Sequence, residues 1–182
     1  EHHWVVANPL CSVTGSIECG GQKVEFRGRG YHDHNYGTAP LGPGLRRWIW
    51  GRVLFGDDSV ATFHFAQARD DALEDEVHLI EADATGLRET PIATVEADWS
   101  RRTGALLQYP EKLRLENALW LSNPRLIDSS PFYLRLTYDA QRGDRRGTAL
   151  CEIAYPHRLR IPVLGRMIEL SIDKRAVLPT IS

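Results

Sequence analysis

The chain has no apolar run as long as the roughly 18 residues a membrane-spanning helix needs, so no such helix is expected. It has no basic, then apolar, leader, so no signal peptide is expected. It opens at "EHHWVV" without an initiator Met, and a further segment is therefore expected to precede it. Neither sign of charge dominates. A net charge of −2 over 182 residues gives no electrostatic case for nucleic acid or an anionic membrane. Cysteine is scarce: Cys11, Cys19 and Cys151 are odd in number and have no CxxC spacing. That argues against a disulfide framework, a zinc knuckle and a redox motif. All three lie among alternating apolar residues and are expected to be small core residues. Repeats and low-complexity tracts are missing. Helical periodicity nearly is, with weak potential only in "RDDALEDEV" and in "PHRLRIPVLGR", where Pro162 interrupts it.

Strand patterning is what remains. Hydrophobic residues make up 42%, enough for a buried core. "SVTGSIEC" and "QKVEFRGRG" flank Gly20-Gly21, a two-residue hairpin signal. "RRWIWGRVLF" and "SVATFHFAQ" flank Gly56-Asp57-Asp58, a second hairpin. "DEVHLIEAD" alternates, with Val77, Leu79 and Glu81 on one face. "PIATVEADW", "EKLRLENALWL", "PFYLRLTYD", "GTALCEIAY" and "RMIELSID" follow. About ten short segments with turn residues between them predict an all-β sandwich or barrel in one domain, residues 1–182. A long loop is expected from Asn35 to Arg47, over the rim of a pocket.

One stretch holds more chemistry than a turn requires: Gly28–Gly37, "GRGYHDHNYG". If it continues as a strand, Tyr31 and Asp33 share one face, and His32 and His34 the other. His2 and Trp4 share a face in "HHW", as do Trp48 and Trp50 in "WIWGR". A carboxyl, a phenol, an imidazole and several indoles are thus expected to meet in one apolar cavity. The histidines match no zinc-ligand spacing, so no metal is expected. Asp33 has a plainer reading as a strand-end carboxylate capping an Asn35–Gly37 turn. Trp99, Trp120 and Phe132 read as core, and His64 and His78 as structural residues on ordinary strands.

"GRGYHDHNYG", then "PL" and "WIWGR", resembles the signature of the carotenoid 1,2-hydratase (hydroxyneurosporene synthase) family, which shares a lipocalin-like fold with AttH-like proteins. "HHWVVANPLCSVTG", "LIDSSPFYLRL" and "CEIAYPHRLRIPVLGRMIEL" resemble further blocks of that family in the same order. A departure is Tyr36, where the hydratases more usually carry Trp. The resemblance implies a lipocalin-like antiparallel β-barrel of about 8–10 strands. It implies that the chain is the C-terminal half of a two-domain protein, with a companion N-terminal lipocalin-like domain. It also implies a hydrophobic isoprenoid substrate and a bacterial protein of the cytoplasm or membrane surface, with transient membrane contact. By the same resemblance, His2, Trp4, Tyr31 and Asp33 match positions held to be functional.

Hydrating an isolated alkene begins with proton transfer to carbon, which water cannot supply at neutral pH. An apolar pocket favours the protonated form of a carboxyl, and Asp33 is the expected acid. Trp4, Tyr31, Trp48 and Trp50 are expected to face the resulting cation. His2 or His34 is the expected base. Tyr36, Asn35 and Tyr133 are expected to border the substrate. No cofactor is called for. Capture of the cation by an internal alkene would give a ring instead, so hydratase and cyclase remain alternatives. Three others stay open: a pericyclase, a non-catalytic carrier of an apolar ligand, and a half-domain that only packs on its companion.

Overall fold

Gly20 and Gly21 both adopt positive φ (59° and 77°), the conformation a two-residue hairpin turn requires. The turn joins β1 (His2–Cys19) to β2 (Gln22–Gly37) in a long two-stranded ribbon with Cys19 opposite Gln22. The computed structural model describes residues 2–38, 44–56, 58–69 and 74–161. After the ribbon come β3 (Leu45–Leu54), β4 (Val60–Ala68), β5 (Glu76–Asp83), β6 (Gly86–Thr90) and β7 (Val95–Ala97). A two-residue pair follows, β8 (Arg101–Arg102) and β9 (Gln108–Tyr109). Then come β10 (Lys112–Leu115), β11 (Leu119–Ser129), β12 (Tyr133–Arg142) and β13 (Arg145–Ala154), and a short 3-10 helix, Pro156–Arg160. Nine of these strands form one antiparallel sheet in the order β6-β5-β4-β3-β13-β12-β11-β10-β7.

The sheet curls round one apolar core. Ile49 and Val53 of β3, Phe63 and Phe65 of β4, Leu79 of β5, Leu113 of β10, Leu121 of β11, Leu134 and Leu136 of β12, and Ile153 of β13 belong to a single buried cluster. Alternation along each strand turns these residues to the same side. Arg142 at the end of β12 forms an ion pair with Glu81 of β5. Four strand spacings separate β12 from β5, about 19 Å in a flat sheet, so the contact requires curvature. Glu81 is buried and also accepts hydrogen bonds from Arg88 (3.0 Å) and Thr90 (2.6 Å). This half-barrel is the all-β, lipocalin-like architecture expected above.

Several local expectations change. "EKLRLENALWL" is two strands, because Glu116 turns the chain at φ 47°. β2 runs through Gly37 and β3 begins at Leu45, so the ends of the expected Asn35–Arg47 loop are strand; its middle, residues 39–43, lies outside the described residues. Asn35–Gly37 is therefore not a turn for Asp33 to cap, because its backbone pairs with His2–Trp4. Of the three cysteines only Cys151 is buried in the core; Cys19 is exposed at the ribbon's turn. Trp120 is exposed, because it alternates with the buried Leu119 and Leu121. Trp99 packs on the core edge, with the Arg47 guanidinium 3.6 Å above its ring. Of the two weakly helical stretches, "RDDALEDEV" passes into β5 at Glu76, with residues 70–73 outside the described residues. The other contains the 3-10 turn, and its remainder, with "RMIELSID", lies outside them.

Candidate active site on the outer face of the sheet

The side chains that alternate with the core on β3 are Trp48, Trp50, Arg52 and Leu54, and they point away from it. The basal part of the ribbon lies across this outer face. Arg52 holds it there by donating from Nη2 to the Gly30 carbonyl at 3.1 Å. Gly30 is needed at this point: a Cβ there would lie 2.3 Å from Val13 Cγ2. The cover explains why β4 is buried on both faces, Thr62 and His64 included.

Under the ribbon, five side chains form a directed network. Trp4 Nε1 donates to Asp33 Oδ2 at 2.8 Å, and the Tyr31 hydroxyl donates to the same oxygen at 3.0 Å. Trp50 Nε1 donates to the Tyr31 oxygen at 3.3 Å. The Thr62 hydroxyl lies 3.5 Å from that oxygen and donates to the Gly51 carbonyl at 3.1 Å. Among the described residues, Asp33 Oδ1 receives no hydrogen bond. Burial pushes the Tyr31 phenol up to about 12, opposed by the Thr62 and Trp50 hydrogen bonds and reinforced by the Asp33 charge. At neutral pH Tyr31 therefore stays a phenol and a donor.

An aromatic wall continues the cluster. Tyr31 and Trp50 rings lie 5.3 Å apart, and Arg52 stands 5.3 Å over Tyr31. His64 packs between Trp4 and Trp48, with each ring centroid 5.5 Å away. From Tyr31 and Trp50 an open groove of about 650 Å³ runs over the outer face, past Arg52, Leu54, Thr148 and Leu150. The expected convergence is thus on the outer face of the half-barrel, because its interior is filled by the core.

The expected site residues separate accordingly. Asp33, Tyr31, Trp4 and Trp50 come together, with Trp48 at the edge through His64. His34 does not join them, because alternation turns it to the opposite face of β2, where it stacks on Tyr36 (5.9 Å). Tyr36 is exposed and also stacks on His3 (4.9 Å), and Asn35 is exposed beside it. Tyr133 lies two strands from Trp48 across Ala154, against Arg135. The His2 backbone pairs with Gly37, and its side chain lies outside the described residues.

Residues 1–180 match the carotenoid hydratase CrtC family model. The chain belongs to that family. It is similar to the hydroxyneurosporene dehydrogenase of Chlorobaculum tepidum, 32% identical over 148 residues, covering 75% of this chain and 38% of the relative. It is similar to the acyclic carotenoid 1,2-hydratase of Cereibacter sphaeroides, 29% identical over 189 residues, covering 96% of this chain and 60% of the relative. A 57-residue stretch, 31% of the chain, is 32% identical to 16% of the quinolone epoxide rearrangement protein penF of Penicillium thymicola. The chain thus spans less than two thirds of each relative's length. A crystal structure of an AttH protein from Nitrosomonas europaea shares the fold, at TM-score 0.60 and 20% identity, covering 85% of this chain and 51% of that one.

Within this CrtC-family chain, Thr62 and His64 are the contacts that strand patterning alone misses. The signal lay in the second hairpin. Pairing Leu54 with Val60 across Gly56–Asp58 sets Arg52 opposite Thr62 and Trp50 opposite His64. The same register sets His64 opposite His78 on β5.

Proposed function

We propose that this chain hydrates an acyclic isoprenoid alkene, with Asp33 as the proton donor. One observation carries the reading: Trp4 and Tyr31 both donate to one oxygen of Asp33, inside an aromatic wall. Two donors on Oδ2 fix the carboxyl and leave Oδ1 as the oxygen that carries the proton when Asp33 is in its acid form. The alkene π electrons take that proton, forming a C–H bond and leaving a tertiary cation. The indoles of Trp4 and Trp50 and the Tyr31 ring stabilise the cation, by about 1–2 kcal/mol each when desolvated. Water then adds, and its surplus proton passes to a base. The groove beyond Tyr31 and Trp50 suits the rest of a long apolar chain. Family membership supports the reaction class, and the name of the Cereibacter relative, an acyclic carotenoid 1,2-hydratase, supports the substrate class.

In the same reading the chain is one of two lipocalin-like halves, because the relatives it matches extend well beyond it. The outer arm of the ribbon offers the companion half a surface. On one face Val13 pairs with Gly28, Gly15 with Phe26 and Ile17 with Val24; on the other Ser12 pairs with Arg29, Thr14 with Arg27 and Glu18 with Lys23. Ile17 and Val24 are about three-fifths exposed. A bare two-stranded ribbon is marginal in water and leaves both edges unpaired, so a β-sheet is the complementary cover.

The test is product analysis in ¹⁸O-labelled water with detergent-dispersed acyclic isoprenoids, using the chain joined to its companion half. A product heavier by one labelled water, lost in Asp33→Asn, is expected. An isomer of unchanged mass would replace hydration by cyclisation. Labelled product at the wild-type rate from Asp33→Asn would remove Asp33 from the role.

A further inference from the structure

We propose that Arg52 decides the fate of the cation: its positive charge confines the cation to the end of the chain that Asp33 protonates, so that water captures it and no ring forms. The inference rests on the hydration reading. Arg52 lines the groove beside Tyr31 and Trp50. Its guanidinium stands 5.3 Å over the ring of Tyr31, whose hydroxyl donates to Asp33. Along the outer face of β3 the order is Trp50, Arg52, Leu54. A chain running from the Asp33 cluster down the groove therefore passes Arg52 before it reaches Leu54.

The charge is fixed in place and is not neutralised there. Nη2 donates to the Gly30 carbonyl at 3.1 Å, and Nε is buried with no hydrogen-bond partner among the described residues. Burial draws the guanidinium below its ordinary value, but an arginine stays charged at any working pH. The groove carries a second arginine, Arg146, and no Asp or Glu among its described lining residues. Asp33, once it has given up its proton, is a carboxylate at the opposite end. A neutral hydrocarbon does not feel this field, so binding depends little on it. A cation does: it is held beside Asp33 and the indoles and is disfavoured along the groove.

Both fates of the cation balance. Proton transfer from Asp33 to the alkene carbon leaves a tertiary cation and a carboxylate. In hydration, the water oxygen forms a C–O bond to the cation, one O–H bond breaks, and the released proton restores the acid form of Asp33 through solvent. The sum is alkene plus water giving an alcohol. In cyclisation, the π electrons of an alkene further along the chain form a C–C bond to the cation, and the positive charge moves to a carbon on the groove side. Loss of a proton from the neighbouring carbon then restores Asp33 and gives an isomer of the substrate. Only the second path brings a positive charge toward the guanidinium, so Arg52 raises that barrier and leaves the first alone.

The readout is a product ratio, labelled alcohol to unlabelled isomer, from a detergent-dispersed acyclic isoprenoid with several double bonds in ¹⁸O-labelled water. Wild type, Arg52→Lys and Arg52→Gln are compared, each joined to the companion half. Lys keeps the charge and a donor for Gly30, and the ratio should hold. Gln keeps a donor without the charge, and the ratio should fall roughly tenfold or more. A second pair leaves Arg52 and its bond to the ribbon in place. Leu150 is 38% exposed, lies opposite Arg52 on β13 and lines the same groove. Leu150→Glu sets a carboxylate beside the guanidinium and should lower the ratio, whereas Leu150→Gln should not. A slower rate at an unchanged ratio in Arg52→Gln and Leu150→Glu would overturn the inference and leave Arg52 only as the tie between ribbon and sheet. Equal shifts in Arg52→Lys and Arg52→Gln would overturn it too, because charge would not be the cause. Both of those outcomes leave hydration standing. No labelled alcohol from wild type would instead remove the hydration reading, and this inference with it.

Discussion

The two faces of the nine-stranded sheet use the same strands for opposite ends. On β3, Ile49 and Val53 turn inward and are fully buried, while Trp48, Trp50 and Arg52 turn outward and stay partly open. On β4, Phe63 and Phe65 fill the core, while Thr62 and His64 face the ribbon. The inner face is mainly apolar; its buried carboxylate among the described residues, Glu81, is paired to Arg88 and Arg142. The outer face carries tryptophans, a phenol, a carboxyl and imidazoles, linked by hydrogen bonds that leave one carboxyl oxygen free among the described residues. The inner face holds the core and the outer face the polar and aromatic cluster, and a period of two residues keeps them apart.

That division can be broken from either side. The largest effect expected is on the outer face. Asp33→Asn keeps an oxygen to accept from Trp4 and Tyr31 but loses the acid, so turnover should fall by about 10³-fold or more with little change in unfolding midpoint. Steady-state kinetics beside thermal unfolding checks both halves of that statement. On the inner face, Phe63→Ala should cost about 3–5 kcal/mol in a denaturant titration, because the ring is fully buried. The activity per folded molecule should be retained. Tyr31→Phe removes one donor from Asp33 and keeps the ring. A drop in kcat of about 10–100-fold is expected, the worth of one hydrogen bond to an ionisable group. An unchanged rate would mean that Trp4 alone orients the carboxyl.

The smallest effect concerns pH. Burial alone would lower the His78 imidazole, but its hydrogen bonds to Glu89 and Glu76 and their charge outweigh it and hold it above its ordinary value. A group raised in the folded state stabilises fully below its unfolded value and loses that contribution as pH rises through the folded one. Wild type should therefore lose more stability than His78→Gln between about pH 6 and 8, in paired urea titrations. Equal slopes would mean that solvent screens the two carboxylates.

Much of this was legible without coordinates, and for physical reasons. Gly20-Gly21 announces its turn because a two-residue hairpin needs positive φ at both positions. Alternation assigned Tyr31 and Asp33 to one face and His34 to the other. What escaped depends on distance in three dimensions. Trp120 read as core because aromatics usually are, yet its register on β11 turns it out. Cys19 and the Asn35–Gly37 segment misled because local patterning does not say where a ribbon leaves its sheet. His64 looked ordinary because nothing local shows which strand will cover it.

By itself the sequence determined the strands, their two-residue period and the clustering of Tyr31, Asp33 and the tryptophans on polar-aromatic faces, because those follow from backbone geometry over a few residues. The tertiary structure alone decided that the Asp33–Tyr31–Trp4–Trp50 cluster lies outside the half-barrel, under the ribbon, with Thr62 and His64 against it. Closing the sheet round Phe63 and Leu136 fills the interior, and only the outer face is left with room for a groove.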